Sequence, residues 1–523
     1  MKTITAAELR HLWVIGAEVA LLDVREEGPY AEAHPLFALT VPVSEVEAQL
    51  PRLIPRLGVP IVVYDNGEGY AEPAGERIHA MGYTDVAVLE GGLSAYRAVG
   101  ELYRDVNVPS KAFGELVESI RDTPSLPAEE VAALIGTQAD VVVLDARRFE
   151  EFNTMSIPHG RSVPGGELVL RVHDVAPDPE TLVIVNCAGR TRSIIGTQSL
   201  VNAGIPNRVV ALRNGTIGWT LAGLDLAKGG TKRADQPSAH GRDIARRNAE
   251  RWATHVGVPV IGAAALARFR AEAETRTLYT LDVRDPAEHA AGHPAGFASA
   301  PGGQLVQATD EWLGVRGARV VLFDTDGVRA RMAASWLFQM GWDVHVLAEE
   351  AELPAEVPRP ATPPIALPEA IVRAADLDHD ATVLDLARAQ VYRRGHLPGA
   401  WFVSGPEIAR DIAAVSGTGM LVLTSPDGMV ASANLQAAQA ATHREVRVLE
   451  GGTAAWVAAG RPLETEGHFA SEPIDAYKRP YEGTDNAREN MQGYIDWELK
   501  LVAQLANDGV AQFRVTRAIP DES

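Results

Sequence analysis

Cys187 is the only cysteine among 523 residues, and its neighbours favour a reactive thiol. It follows the apolar run 182–185 and opens a short loop that also contains Gly189, Arg190 and Arg192. A helix is predicted to follow over 193–202. Two cations and the positive end of a helix stabilise a thiolate, so we expect this setting to lower the pKa of Cys187. Since a single thiol has no intramolecular disulfide to form, the loop points to nucleophilic chemistry.

Composition and charge argue against several other classes of function. The chain is 46% hydrophobic and 22% charged, which is ordinary for a globular protein. It has no apolar stretch of about 20 residues, the length that a membrane helix needs, and its first ten residues do not form a signal-type segment. The net charge of −21 argues against non-specific nucleic-acid binding. We therefore expect a cytoplasmic protein with neither a membrane nor a nucleic acid as partner.

The loop belongs to a unit that occurs four times along the chain. Each copy has an apolar strand that ends in an aspartate, namely Asp23, Asp145, Asp282 and Asp385. A second apolar strand then runs into a polar loop, which opens at Asp65, Cys187, Asp324 and Ser425, respectively. The four loops open 42, 42, 42 and 40 residues after the aspartates, a regularity that indicates internal repeats.

The repeats predict an α/β fold. Short strands rich in Val, Ile and Leu alternate with helical patterns over 71–81, 193–203, 329–340 and 431–441. This alternation predicts a mainly parallel sheet in each repeat, flanked by helices on both faces. The predicted domains are residues 1–105, 126–226, 257–350 and 366–465, with a C-terminal extension over 466–523. The segments 225–241 and 349–368 are predicted linkers, and 487–503 is a predicted helix of an extension docked on one domain.

These landmarks together resemble the rhodanese superfamily. The resemblance is carried by the Asp-x-Arg strand end, the Glu151-Phe152 pair, Ile157-Pro158, the cysteine loop, and a glycine-containing turn before an aromatic residue. It is strong over about residues 126–225, good in the first and fourth copies, and weak in the third, which lacks the glycine pair. Rhodaneses are sulfurtransferases. The resemblance therefore implies that a thiolate takes a sulfane sulfur from a donor, holds it as a persulfide and passes it to a nucleophilic acceptor.

The resemblance implies a role for each residue of the loop. Cys187 is the expected nucleophile, and the backbone N–H groups of Ala188, Gly189, Arg190, Thr191, Arg192 and Ser193 are expected to hold the anionic sulfur, as in anion-binding nests. Arg190 and Arg192 are expected to bind an anionic donor, and Gly189 to adopt backbone angles that other residues avoid. The expected reaction is ping-pong, with thiosulfate favoured over 3-mercaptopyruvate as donor and a thiol or cyanide-like acceptor.

Several alternatives stay open from the sequence alone. Arg147 either lines the pocket or pairs with Glu150 or Glu151. A cysteine-dependent phosphatase is disfavoured because Cys187 and Arg192 are separated by four residues, whereas the phosphatase signature has five. The protein could also be a scaffold or a relay that receives sulfur from a protein-bound persulfide, because three of the four repeats lack a cysteine.

The loops that open at Asp65, Asp324 and Ser425 are expected to be inactive, because neither a carboxylate nor a hydroxyl can form a persulfide. The chain has no clustered Cys/His spacing and no dinucleotide fingerprint. We therefore expect neither a metal nor an organic cofactor.

Overall fold

A computed structural model describes residues 1–348, 353, 355–356, 370–377 and 380–520. It contains four sheets of five or six strands, each flanked by helices, which confirms the predicted α/β fold with four tandem repeats. The predicted linker 349–368 lies almost wholly outside the described residues. No helix in the described part of the chain is long and apolar enough to cross a membrane.

Repeat 1 is a parallel five-stranded sheet with the strand order β1-β5-β4-β2-β3. Its strands are β1 (Lys2–Ile4), β2 (Ala20–Asp23), β3 (Ala38–Thr40), β4 (Ile61–Tyr64) and β5 (Val86–Leu89). Its helices are α1 (Ala6–Val14), α2 (Glu27–Glu32), α3 (Val46–Leu53), α4 (Ala71–Ala80) and α5 (Gly92–Arg97). A further helix, α6 (Val108–Arg121), precedes repeat 2.

Repeat 2 has the same topology, with the strand order β6-β10-β9-β7-β8. Its strands are β6 (Ser125–Leu126), β7 (Val141–Asp145), β8 (Arg161–Ser162), β9 (Leu182–Asn186) and β10 (Val209–Leu212). Its helices are α7 (Ala128–Gly136), α8 (Phe149–Thr154), α9 (Leu168–Val175), α10 (Thr191–Ala203) and α11 (Gly215–Leu221). The long helix α12 (Ala239–Val256) leads into repeat 3.

Repeat 3 keeps the fold although its sequence resemblance is the weakest. The strands are β11 (Val260–Ile261), β12 (Leu278–Asp282), β13 (His293–Pro294), β14 (Ala298–Ser299), β15 (Arg319–Phe323), β16 (Asp343–Leu347) and β17 (Ala355–Glu356). The helices are α13 (Ala263–Ala271), α14 (Pro286–Ala291), α15 (Gly302–Gln307) and α16 (Arg329–Gln339). The main sheet has the order β11-β16-β15-β12-β14, and β13 pairs with β17 in a separate antiparallel ribbon.

Repeat 4 adds a sixth strand to the common sheet, with the order β18-β22-β21-β19-β20-β23. The strands are β18 (Ile371–Val372), β19 (Thr382–Asp385), β20 (Trp401–Phe402), β21 (Leu421–Thr424), β22 (Val446–Leu449) and β23 (His468–Phe469). The helices are α17 (Ala389–Arg394), α18 (Ile408–Ala414), α19 (Met429–Ala433), α20 (Leu435–Ala440) and α21 (Gly452–Ala458). The helix predicted over 431–441 is therefore two short helices. The C-terminal extension forms α22 (Arg488–Glu498) and α23 (Leu501–Asp508), where one helix over 487–503 was predicted.

The chain divides into two compact units, each of which contains two repeats. The first unit holds repeats 1 and 4 and comprises Met1–Leu9, Val19–Val106 and Arg359–Tyr477. The second holds repeats 2 and 3 and comprises Arg10–Glu18, Asn107–Pro358 and Lys478–Ser523. Residues 478–523 of the extension thus belong to the unit that contains Cys187, whereas residues 466–477 belong to the other.

The sheet of repeat 2 is covered on both faces, as its apolar strands require. Val143, Ile184 and Val210 of three neighbouring strands pack in one core cluster with Trp219. Trp219 is therefore a core residue of the sheet. Because parallel strands bring their carboxyl ends to one edge, Asp145 at the end of β7 and Cys187 just after β9 lie on the same side of this sheet.

Candidate active site

Cys187 lies directly after β9 in a segment that we call the cysteine loop (residues 187–193), which includes the first residues of α10. Its side chain is only 1% exposed. The Sγ–H donates to the Ser193 hydroxyl over 3.4 Å, and that hydroxyl donates to the Arg190 carbonyl over 2.8 Å. The helix α10 begins at Thr191, so its positive end points at the loop, as predicted.

The pKa of Cys187 does not follow the sequence prediction. Burial raises the pKa of the thiol above its ordinary value, and Arg192 and Ser193 offset only part of that effect. The Glu498 carboxyl raises the pKa of Cys187 further. The expectation of a lowered pKa was wrong because the sequence shows the two nearby cations but not the loss of solvent around the sulfur.

The start of α11 holds the backbone of the cysteine loop from below. The N–H groups of Thr216 and Ile217 donate to the carbonyl oxygens of Cys187 and Ala188 over 2.9 and 3.0 Å. Gly215 comes so close that a Cβ on it would lie 2.3 Å from the Cys187 oxygen, and its φ is +54°. Only glycine tolerates both conditions. The carbonyl groups of Cys187 and Ala188 are thus held on α11.

Arg147 is part of a structural lock at the end of β7. Its guanidinium donates to Asp145 over 2.9 and 2.7 Å and to the Met155 carbonyl over 2.6 Å, and its side chain is 1% exposed. Its ion-pair partner is therefore Asp145, which corrects the expectation of Glu150 or Glu151. The same bonds join Arg25 to Asp23 and Arg284 to Asp282 in repeats without a cysteine.

Arg190 is turned away from the loop and towards α6. Its Nε and Nη2 donate to the two oxygens of Glu115, each over 2.8 Å, and its Nη1 donates to Asn214 Oδ1 over 3.0 Å. Glu118 accepts a further, very short hydrogen bond from the same guanidinium. Burial raises the pKa of Glu115, although Arg190 opposes that effect.

Arg192 makes a bidentate ion pair with Glu151 at the start of α8. Its Nη1 and Nη2 donate to the two carboxylate oxygens over 2.8 and 2.9 Å. Burial alone would raise the pKa of Glu151, but Arg192, Arg147 and Arg148 lower it to about 2. Both arginines of the loop are thus already paired with carboxylates, and each has its charge largely balanced.

The C-terminal extension covers the cysteine loop. A Cβ on Gly189 would lie 3.1 Å from Tyr494 Cε1 and 3.4 Å from Glu498 Oε2, both on α22. The φ of Gly189 is not positive, so the expected reason for a glycine at this position was wrong. The glycine is needed because α22 packs directly against the loop.

Lys111 of α6 and the aromatic residues of the extension complete this cover. Its ammonium group lies 5.5, 5.2 and 5.6 Å from the ring centres of Tyr481, Tyr494 and Trp497, respectively. Lys111 is only 3% exposed. Cation–π attraction of this kind is strong where water is excluded, so the extension is fixed over the loop by more than apolar packing.

α6 and Glu498 form much of the site but were not predicted from the sequence. Glu115 and Glu118 of α6 bind Arg190 of the cysteine loop, and Lys111, one helical turn before Glu115, lies against the aromatic rings of the extension. They lie outside the repeated unit, so comparison of the four copies does not identify them. The aromatic residues of the extension gave the available signal, because they predicted that it docks on a domain.

The other three loops show what their backbone N–H groups bind. Asp65 accepts from the N–H groups of Gly67, Tyr70 and Ala71 over 2.6–3.0 Å. In the third repeat, Asp324 accepts from Gly327 and Ala330 over 3.1 and 2.8 Å, and in the fourth, Ser425 accepts from Ala431 over 3.3 Å. The donor six positions after the first loop residue is shared by all three. In repeat 2 that position is Ser193, whose N–H interacts with the Cys187 sulfur.

The described residues contain no group of three or more His, Cys, Asp or Glu side chains placed to hold a metal ion. The polar groups available at the cysteine loop are backbone N–H groups and the hydroxyl of Thr191, whose oxygen has no hydrogen-bond partner in the described part of the chain. Such a site suits an anion or a polarised sulfur atom.

Comparison with known proteins gives matches over the whole chain. The profile of the rhodanese-like domain matches residues 5–99, 127–222, 265–350 and 370–459. A search of curated proteins gives no significant match. A solved structure, thiosulfate sulfurtransferase from Pseudomonas aeruginosa, is 51% identical, covers 99% of this chain and 100% of its own, and superposes with a TM-score of 0.93. The Alr3790 protein from Anabaena sp. is 24% identical over 20% of this chain and 93% of its own, with a TM-score of 0.19.

Proposed function

This chain belongs to the rhodanese-like family and is a rhodanese-type sulfurtransferase, and on that premise we propose that Cys187 carries the transferred sulfur as a persulfide. The thiolate attacks the outer sulfur of an anionic donor, and the remainder of the donor leaves with the electron pair of the broken S–S or C–S bond. A thiol or cyanide-like acceptor then takes the terminal sulfur. Such a covalent intermediate requires ping-pong kinetics.

One observation carries this proposal most directly. In repeats 1 and 3, the N–H groups of the corresponding loop bind the carboxylate of Asp65 or Asp324. The same loop in repeat 2 has a thiol at that position. A terminal persulfide sulfur is also anionic. The N–H groups of residues 188 to 193 would therefore bind that sulfur in repeat 2, as the corresponding N–H groups bind a carboxylate in repeats 1 and 3.

We propose thiosulfate as the donor. The relative from Pseudomonas aeruginosa is named a thiosulfate sulfurtransferase and is similar along its full length. Arg192 supports an anionic donor because Glu151 accepts hydrogen bonds from only two of the five N–H groups of its guanidinium. Arg190 has a positioning role in this proposal, since Glu115 and Glu118 balance its charge and Asn214 also holds its guanidinium. Arg147 has a structural role in this proposal.

A relay that takes sulfur from a protein-bound persulfide is less well supported. Cys187 is 1% exposed, and Tyr494 and Glu498 of the extension pack against the adjacent Gly189. A small anion reaches such a thiol more easily than the side chain of another folded protein.

Mass spectrometry of the protein, digested after exposure to donor, tests the proposal. We expect one added sulfur atom on the Cys187 peptide with thiosulfate and none with 3-mercaptopyruvate, together with turnover in a thiosulfate:cyanide assay. Persulfide formation with 3-mercaptopyruvate alone would assign the other donor class. If neither donor adds sulfur, Cys187 does not react with a small anionic donor, which would overturn the proposal and favour the relay.

A further inference from the structure

Glu498 is a buried acidic residue whose carboxyl group faces the cysteine loop. Its side chain is 0% exposed, although it lies on α22 outside the four repeats. Tyr494 donates a hydrogen bond to Oε1 over 2.7 Å. The other oxygen, Oε2, has no hydrogen-bond partner among the described residues, and it lies 3.4 Å from where a Cβ of Gly189 would be.

A buried carboxyl oxygen without a partner has a considerable energetic cost. Such a group is retained when it binds a ligand or handles a proton. Here the unpartnered oxygen faces a loop whose only nucleophile is Cys187. The Coulomb interaction between Glu498 and Cys187 is also large enough to raise the pKa of the thiol.

The charged and titratable groups that face Glu498 come from three elements: Lys111 and Glu115 of α6, Cys187 and Arg190 of the cysteine loop, and Tyr494 of α22 itself. Burial and the neighbouring Glu115 raise the pKa of Glu498 to about 8, against the opposing effects of Lys111, Tyr494 and Arg190. A base is most effective when its pKa lies near the working pH.

We infer that Glu498 exchanges protons with the reacting sulfur, so that the C-terminal extension supplies the acid–base group of the cysteine site. The inference rests on the proposed sulfur transfer through Cys187. Because burial favours the protonated thiol, attack on a donor requires a proton acceptor, and arginine cannot serve as one.

The proton balance closes in both half-reactions. In the first, the Glu498 carboxylate takes the thiol proton, directly or through a water molecule, and the thiolate forms a bond to the outer sulfur of thiosulfate. The S–SO₃ bond breaks, sulfite leaves with the electron pair, and Glu498 returns the proton to it, so that bisulfite departs. In the second, Glu498 takes the proton of hydrogen cyanide, cyanide removes the outer sulfur as thiocyanate, and the Cys187 sulfur recovers the proton.

The pH profile of persulfide formation tests this role. Since the ionised form of Glu498 is the base, the rate for the wild-type protein should rise with pH through about 8. Glu498→Gln keeps the size of the side chain and can still accept from Tyr494, but it cannot take a proton. We expect it to lower the single-turnover rate at pH 8 by about 100-fold, the usual range for general base catalysis. As the pH rises further, a growing share of the thiol ionises without a base, so the difference between the variant and the wild type should shrink.

Matched variants separate this role from a structural one. Glu489→Gln makes the same change at an exposed position of α22 and should leave the profile unchanged. Glu498→Asp retains a carboxylate and should restore part of the rate at pH 8, even if Glu498→Gln folds poorly. A constant loss at every pH, or no loss in Glu498→Gln, would overturn the inference. Absence of a persulfide on the wild-type protein would instead overturn the proposed function.

Discussion

The loops of repeats 2 and 3 have the same arginine–glutamate pair but differ in their first residue. In repeat 3, Arg329 donates to both oxygens of Glu288 over 2.6 and 2.9 Å, as Arg192 does to Glu151 in repeat 2. The arginine–glutamate pair therefore does not depend on a cysteine. It joins the start of the helix that follows the loop to a neighbouring helix in both repeats. Its structural role therefore does not depend on catalysis.

The two loops differ at their first residue and in what covers them. Asp324 accepts hydrogen bonds from two N–H groups of its own loop, whereas the Cys187 thiol donates a hydrogen bond to the Ser193 hydroxyl. The cysteine loop also contacts α6 through Arg190 and α22 through Gly189. Among the described residues, repeat 2 is thus the repeat that combines a thiol at the first loop position with a cover of charged residues from α6 and α22.

Replacement of Cys187 should have the largest effect. Cys187→Ser places in repeat 2 the residue that repeat 4 has in Ser425, and we expect it to abolish both persulfide formation and thiosulfate:cyanide turnover. Cys187→Asp imitates repeats 1 and 3 and should be equally inactive, because its carboxylate would occupy the N–H of Ser193. Both are checked by mass spectrometry and steady-state assay. Residual turnover in Cys187→Ser would place the chemistry elsewhere.

The reverse change in repeat 3 should not create activity. Asp324→Cys, made in a Cys187→Ser background, provides a thiol but neither α6 nor α22 as cover. It also loses the hydrogen bonds from Gly327 and Ala330, so we expect repeat 3 to lose about 1–3 kcal/mol of unfolding free energy. Denaturant unfolding monitored by hydrogen exchange in β15 measures that loss. A persulfide on the new thiol would show that the loop alone is sufficient.

The repeats and the loop were predictable because they depend on local pattern. The 42-residue spacing between Asp145 and Cys187 recurs in repeats 1 and 3 and is 40 residues in repeat 4, and each strand end carries its aspartate at the same edge of the sheet. The aromatic residues of the extension predicted that it docks on a domain, but not that it covers the cysteine loop. Glu115 and Glu498 lie outside the repeats and meet Arg190 and Gly189 only through the tertiary fold. For the same reason the prediction of the thiol pKa from the sequence was wrong, because that pKa depends on burial more than on the neighbouring residues in the chain.

Arg192→Lys and Arg329→Lys test whether Arg192 takes part in the reaction with thiosulfate in addition to forming the ion pair that its counterpart Arg329 also forms. Lysine cannot reproduce the bidentate pair with Glu151 or Glu288, so Arg192→Lys should lose about 1–2 kcal/mol of stability. Arg329→Lys should lose at least as much, because Arg329 also pairs with Asp326 and Glu167. Only Arg192→Lys should also lower kcat/KM for thiosulfate, on the order of tenfold, since only Arg192 lies beside the thiol. Thermal unfolding and initial-rate kinetics on both proteins check this. Equal kinetics in the two variants would limit Arg192 to the structural role.

The smallest effect is expected from Glu151→Gln, read out by alkylation of Cys187. Because burial raises the pKa of the thiol, the rate of alkylation by iodoacetamide should keep rising at pH values above the ordinary cysteine pKa. Neutralising Glu151 leaves the charge of Arg192 unbalanced, which favours the thiolate and lowers that pKa. We expect alkylation at pH 7.5 to become about threefold faster, equivalent to a pKa change of about half a unit. Glu288→Gln removes the corresponding carboxylate of repeat 3 and should leave the rate unchanged. A slower reaction in Glu151→Gln would mean that the ion pair protects the thiolate by holding Arg192 in place, and the electrostatic difference between the two repeats would then lie in geometry and not in net charge.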